Sequence, residues 1–254
     1  AEYVDVPADE LDYWVAGINH MAFFLEAKHD GESIYPDLRE AYHDEETYRK
    51  DTVRFEMLRH FGLFPTESSH HMSEYVPYFR TDEDAITELT GTAYAERMPT
   101  ATYLEGWTER SEERDSPELD VDLEEVGVER SEEYAARLIH SLETDTTRRF
   151  NLNVPNHEDS ITNLPSDACV EVPVFADGAG VHPCSVGELP PEIAALNQQH
   201  TAVYELAVEG ALEGDRSKVH RAVKIDPLSS AACTLEELHE MTEELIDANE
   251  EYLP

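Results

Sequence analysis

The stretch "VRFEMLRHFGLFPTESSHHMSEYVPYF", Val53 to Phe79, changes character twice, and the fold turns on those changes. Val53, Met57, Leu58 and Phe61 recur at helical spacing behind Asp51, a residue able to cap a helix. Gly62 supplies the residue type that ends one. After Pro65 the pattern dissolves. Thr66 to Phe79 crowds Glu67, Glu74, His70, His71, Met72, Tyr75, Tyr78 and three serines into fourteen positions, and helix is expected to restart near Met72. The reading is a helix, a corner, and a loop of reactive side chains that runs into a second helix.

Working outward, "AEYVDVPADELDYWVAGINH" reads as a connecting segment that feeds a strand through Leu11, Tyr13 and Trp14. "MAFFLEA", Met21 to Ala27, is an apolar run of strand length, and Asp30-Gly31 is a turn signal that doubles the chain back. His20 is read as a histidine inside that apolar strand, with Asn19 on its opposite face or at a bulge. A long helix is expected from Thr81 to about Arg114, with Ile86, Leu89, Tyr94, Leu104 and Trp107 on its apolar side and a break near Pro99. An acid-rich loop, Ser111 to Gly127, and an amphipathic helix, Glu129 to Leu142, follow. Arg149 to Val154 alternates like a strand. "ACVEVPVFADGAGVHPCSVGELP", Ala168 to Pro190, reads as two strands joined by Asp177 to Gly180. Closing helices are expected over Pro191 to Gly214, Arg216 to Lys224 and Leu235 to Tyr252. Helices and strands mix without βα alternation, so the fold class is α+β.

Charge excludes one class of partner outright. The 254 residues carry 57 acidic against 18 basic side chains, a formal net charge of −39, and nucleic-acid binding needs the opposite sign. Lys28, Lys50, Lys218 and Lys224 are the lysines; the other basic residues are arginines. Acids spread along the whole chain suit a halophilic cytosol, where salt screens the self-repulsion. Cys169, Cys184 and Cys233 form no CxxC pair, which argues for a reducing compartment, and no apolar run is long enough to span a membrane. The chain reads as cytoplasmic. Neither a GxGxxG nor a GxxxxGK[ST] motif occurs, so a self-contained nucleotide-binding domain is not expected.

"ESSHHMSEY" can be read three ways. Glu67, His70, His71 and Glu74 are possible metal ligands. Histidine, carboxylate and tyrosine are also possible general acid–base groups. Third, the segment can be a plain helix start, capped by Ser68 and Ser69 with solvated histidines. Spacing leaves all three open.

Several separated blocks narrow the choice: "GINHMAFFLEA", "YPDLRE", the opening stretch, "NLPSDACVEVPVFADGAGVHP" and "VGELPPEIAALNQQH". Together they resemble glycoside hydrolase family 4, in particular its α-galactosidase (melibiase) group, from about Tyr13 to Pro254. The resemblance implies a lactate-dehydrogenase-like C-terminal domain over residues 1–254, with the family's N-terminal NAD-binding Rossmann domain absent from this chain. It also implies NAD, manganese or another divalent ion, an α-galactoside substrate and a homo-oligomer. Hydride leaves C3 of the sugar for NAD, a base removes the C2 proton, the leaving group departs from C1, and water and hydride return.

In the family a cysteine and the histidine of an "NH" motif hold the ion. His20 matches that histidine. The cysteine would lie further upstream than this chain extends, and Cys169 is misplaced to replace it. A separate N-terminal half, from a split gene, is therefore an expected partner. A family "GxxP" corner matches "GLFP" and aligns Ser68 with the base position. Serine is no base unaided. The resemblance leaves His71, Glu67 and Tyr75 as candidate catalytic residues and Asn19 and Ser68 as substrate contacts. Asn163, which could cap the turn before Pro165, and Glu171, which could face either an ion or water, are read as structural. Alternatives are a catalytically incomplete remnant, or an α-glucosidase or α-uronidase of the same family.

Overall fold

The computed structural model of the chain describes residues 2–89 and 133–253. The long helix expected beyond Leu89, the acid-rich loop and the first residues of the Glu129 helix lie outside them.

Two antiparallel three-stranded sheets organise the domain. The first contains β1 (Leu11–Ala16), β2 (Phe23–His29) and β3 (Glu32–Ser33). Asp30 and Gly31, at φ 51° and 83°, make the tight β2–β3 turn as the sequence predicts, since both central residues of such a turn need positive φ. The second contains β4 (Arg148–Pro155), β5 (Cys169–Asp177) and β6 (Gly180–Pro183). Val170, Val172 and Val174 of β5 are fully buried and join the main core with Ala16, Ile18, Met21, Phe23, Val53, Met57 and Met72. Each such valine, isoleucine, methionine or phenylalanine removed from water contributes about 1.5–3 kcal/mol.

Among the described residues the α-helices are α1 (Tyr35–Ala41), α2 (Glu45–Lys50), α3 (Thr52–Phe61), α4 (Ser69–Tyr75), α5 (Glu83–Leu89), α6 (Ala135–Thr144), α7 (Pro191–Glu213), α8 (Arg216–Ile225), α9 (Pro227–Ala232) and α10 (Leu235–Ala248). The apolar period anticipates α3, and Gly62 ends it at φ 80°. The short α1, α2 and α9 carry too few turns to show a period. Asp51 corrects one detail. It stands at the N-cap of α3 without capping it. Its buried carboxylate instead accepts from Arg54 Nη1 (2.8 Å), Ser69 Oγ (2.5 Å) and Tyr3 Oη (3.0 Å), so it fixes the start of α4 to the start of α3.

Two local devices place the reactive residues. The first is the β1–β2 connection. His20 lies in a turn and not inside a strand, the second correction: Met21 N–H donates to the Ile18 carbonyl at 2.8 Å, and His20 takes φ 65°. Gly17 permits this, because at φ 155° a Cβ there would meet the Met21 carbonyl oxygen at 2.4 Å. Gly17 also exchanges backbone hydrogen bonds with Glu171 of β5 (3.1 and 2.8 Å), which seats the turn on the second sheet.

The second device is the corner after α3. Phe24 N–H donates to the Phe64 carbonyl (3.0 Å) and Thr66 N–H to the Ala22 carbonyl (3.0 Å), so the corner runs along β2 and delivers Glu67 beside the turn. Arg54 holds the corner from behind, donating from Nε and Nη2 to the Pro65 carbonyl (3.1 and 2.9 Å) with its guanidinium 4.3 Å from the Phe64 ring centre.

Candidate functional site

His20, from the turn, and His71, from the first turn of α4, converge on Glu67. His20 Nδ1 lies 3.0 Å from Glu67 Oε2 and His71 Nδ1 lies 3.3 Å from Oε1. One ligand atom from each residue falls within 4.8 Å of the other two. Both Nδ1 atoms are buried, yet neither makes a properly aligned hydrogen bond. These are close approaches at poor angles, and a buried ring nitrogen left this way costs desolvation energy that a bound cation would recover. The residues thus fit a divalent ion on the His20 imidazole and the Glu67 carboxylate, a mixed donor set, with the His71 imidazole beside them.

Glu67 remains ionised. Burial pushes its carboxyl up, but the Ser68 N–H that it accepts (2.9 Å) and the His20 and His71 rings outweigh burial and hold it below the usual carboxylate range. Tyr75 stacks on His20, with ring centres 5.4 Å apart and planes 6° from parallel. Burial pushes the Tyr75 phenol up despite the hydrogen bond from Tyr204, so it stays protonated at neutral pH. His200 of α7 supports this wall, donating from Nε2 to the Tyr75 carbonyl at 2.6 Å. Burial pushes His200 down toward the neutral ring.

The structure divides the "HH" pair. His71 turns to Glu67. His70 turns to Glu74 (3.3 Å) and lies 2.9 Å from Arg80 Nη2, and burial, with help from that guanidinium, pushes it down. A cation beside the ring nitrogen makes His70 the poorer metal ligand, although its atoms also cluster with those of His71 and Glu74. Ser68 is the N-cap of α4, its Oγ accepting from His71 N–H at 3.4 Å. The capping reading of Ser68 therefore describes its observed contact, while Ser69 serves Asp51. Asn19 is exposed on the turn and accepts from Asn153 Nδ2 at 3.2 Å.

Two residues at the site carried no functional weight in the sequence. Asn153 of β4 stands opposite Glu171 of β5 in the sheet register. Burial, and then the charge of Glu67, push the Glu171 carboxyl up, which marks it as a candidate proton donor and places it in the field of the site. The alternation of "VEVP" leaves that orientation undecided, because only the Gly17 contact fixes which face looks at the turn. Asn163 is structural as expected. It donates to the Leu189 carbonyl (2.8 Å) and accepts from the Leu189 N–H (3.0 Å). Cys169, Cys184 and Cys233 are free thiols, and none joins the cluster around Glu67.

Fold and site together define an α+β domain built around a histidine–carboxylate centre. The family 4 glycosyl hydrolase C-terminal domain matches residues 15–229, and the chain belongs to that family. Over 249 residues it is 36% identical to the alpha-galactosidase of Bacillus subtilis (strain 168), a match covering 97% of this chain and 56% of that protein. It is 34% identical to the alpha-galactosidase of Rhizobium meliloti (strain 1021), covering 100% of this chain and 53% of that protein. Its fold is shared with a 6-phospho-alpha-glucosidase from gut microorganisms solved with NAD and glucose-6-phosphate (TM-score 0.70, 20% identity, 100% of this chain and 59% of that one). It is also shared with the 6-phospho-beta glucosidase of Thermotoga maritima solved with manganese, NAD+ and glucose-6-phosphate (TM-score 0.67, 22% identity, 100% and 56%). The chain spans about half the length of the curated relatives that it matches. Among the described residues no helix is long and apolar enough to cross a membrane.

Proposed function

We propose that this chain is the substrate- and metal-binding half of an NAD- and manganese-dependent α-glycosidase of α-galactosidase type, acting with a dinucleotide-binding half that lies outside residues 1–254. The observation that carries the reading is the pair of buried, unaligned Nδ1 atoms of His20 and His71 on either side of an ionised Glu67. The two alpha-galactosidase relatives support the substrate class.

His20 and Glu67 would hold the ion, with a further ligand from the other half. When bound, NAD would supply hydride acceptance and return, and the ion would supply Lewis acidity beside the oxidised carbon. The chain's own side chains do the rest. His71, its Nδ1 turned to Glu67, would offer Nε2 as the base for the C2 proton. Tyr75 keeps its phenol proton and closes the His20 side of the site. Asn19 and Asn153 would offer amides to sugar hydroxyls, and Glu171 would hand a proton to a leaving oxygen.

The test is turnover in deuterium oxide by the enzyme reconstituted from both halves. Deuterium should enter C2 of the released sugar, and His71→Gln should slow turnover by about 10²–10⁴, the usual size of a general-base contribution. A product unlabelled at C2 would refute the reaction type. Unimpaired turnover of His71→Gln would remove the base assignment alone.

A further inference from the structure

A second histidine–carboxylate cluster lies outside the site described above, where α8 crosses α10. His220 projects from α8 and is buried; His239 and Glu243 stand one turn apart on α10. A ligand atom from each falls within 4.8 Å of the other two. The Nδ1 atoms of His220 and His239 are 3.2 Å apart, with ring centres separated by 4.6 Å. On its other nitrogen, His220 Nε2 lies 2.5 Å from Glu243 Oε1.

We propose that this cluster is a metal site for a late first-row divalent ion, with zinc as the reference ion, that fastens α8 to α10. The spacing is the first argument. Two imidazole nitrogens, each about 2.0–2.1 Å from a tetrahedral zinc, stand roughly 3.4 Å apart, close to the separation observed here. Histidine orientation is the second. A carboxylate that accepts the Nε2–H of His220 fixes the tautomer with its lone pair on Nδ1, the nitrogen turned to His239. Burial is the third, because His220 is held in the helix interface and little side-chain entropy remains to be lost on binding. Imidazole donors favour zinc, copper or nickel over manganese, magnesium or calcium, which separates this site in chemistry from the centre at Glu67.

The experiment titrates Zn2+ into the full chain carrying His20→Asn and His71→Ala, so that the first centre cannot contribute. One equivalent should bind, and the melting midpoint should rise by about 5 °C at a hundredfold excess over the dissociation constant. Adding His239→Ala, which empties no buried space, should abolish both signals. Adding Glu243→Gln should weaken binding about 10–100-fold, as loss of an orienting carboxylate does. Absence of Zn2+ binding in the parent of this series, or binding unchanged by His239→Ala, overturns the proposal and leaves a hydrogen-bonded chain from Glu243 through His220 to His239.

Discussion

The two histidine–carboxylate clusters use the same residue types and differ in how the backbone holds them. At Glu67, one histidine comes from a left-handed turn and the other from the first turn of a short helix, and their buried Nδ1 atoms find no aligned partner. At Glu243, all three side chains come from helix interiors, and His220 has a partner on both ring nitrogens. Unsatisfied nitrogens on irregular backbone mark a site arranged for a ligand, since strain and lost hydrogen bonds persist only where the surroundings impose them. Helical placement with satisfied nitrogens marks a joint that stands without its ion and is tightened by it.

The largest effect that tests this contrast is on manganese. His20→Asn keeps a residue that tolerates positive φ and removes the imidazole, so the turn should persist while manganese affinity of the reconstituted enzyme falls by at least about 10²-fold. Manganese electron paramagnetic resonance would measure the loss. His239→Ala should leave manganese affinity unchanged. An effect of His239→Ala on manganese as large as that of His20→Asn would erase the distinction between the clusters.

Next in size is the turn itself. Gly17→Ala places a Cβ 2.4 Å from the Met21 carbonyl oxygen at a φ that favours glycine, and should cost about 2–4 kcal/mol of folding stability. Denaturant unfolding measures that cost. The manganese site should weaken with it, and the zinc site on α8 and α10 should not. A Gly17→Ala chain as stable as the parent would mean that the turn relaxes and His20 is not held by strain.

These devices also explain how much the sequence revealed. Local signals read well: the period and glycine stop of α3, the Asp30-Gly31 turn, the strands on either side of Asp177 to Gly180, and the start and end of α7. The α+β class followed from them. The turn at His20 was hidden, because "INHMAFF" is apolar enough to pass for continuous strand and the signal against it is one glycine. The convergence of His20 with Glu67, His71 and Tyr75 was legible only as a list of reactive types. What joins them is a corner laid along β2 and a backbone contact between Gly17 and Glu171, separated in sequence by most of the chain. Glu171 and Asn153 were out of reach for the same reason. Asp51 was legible as polar and near a helix start, but its use in fixing Ser69 depends on packing between helices.

Salt gives a smaller and more general effect. At a net charge of −39, raising salt from about 0.1 M to 1 M shortens the screening length from about 10 Å to about 3 Å, and the melting midpoint should rise as like charges cease to repel. The two clusters should respond unequally. His220 and His239 share α10 and its neighbourhood with Glu236, Glu237, Glu240 and Glu244, so zinc affinity should fall with salt as the attraction of those acids is screened. Manganese at Glu67, where α4 carries one acid, Glu74, should lose less. Equal salt slopes for both ions would count against that attraction, and a melting midpoint indifferent to salt would contradict the halophilic reading.

The smallest effect is a pH limb, and its sign follows from burial. His200 and His70 are both pushed below the ordinary histidine value by burial, so the unfolded chain binds protons more readily than the folded one in the window beneath about 6.5. The stability they contribute is fully present above that value and is lost as pH falls through their folded-state values. Glu171 has the opposite sign: its carboxyl is pushed up, so its contribution is present at low pH and fades as pH rises through its folded value. Between pH 7.5 and 5.5 the histidines therefore predict a falling melting midpoint. His200→Gln keeps a donor for the Tyr75 carbonyl and removes the titrating ring, so the limb should flatten without vanishing, since His70 remains. Because His200 stands behind Tyr75, on the wall of the first cluster, the flattening should come with a change in the pH dependence of manganese binding and none in that of zinc. A pH limb identical in parent and His200→Gln would mean that His200 titrates alike in the folded and unfolded chain, and that the wall behind Tyr75 is wetter than its burial implies.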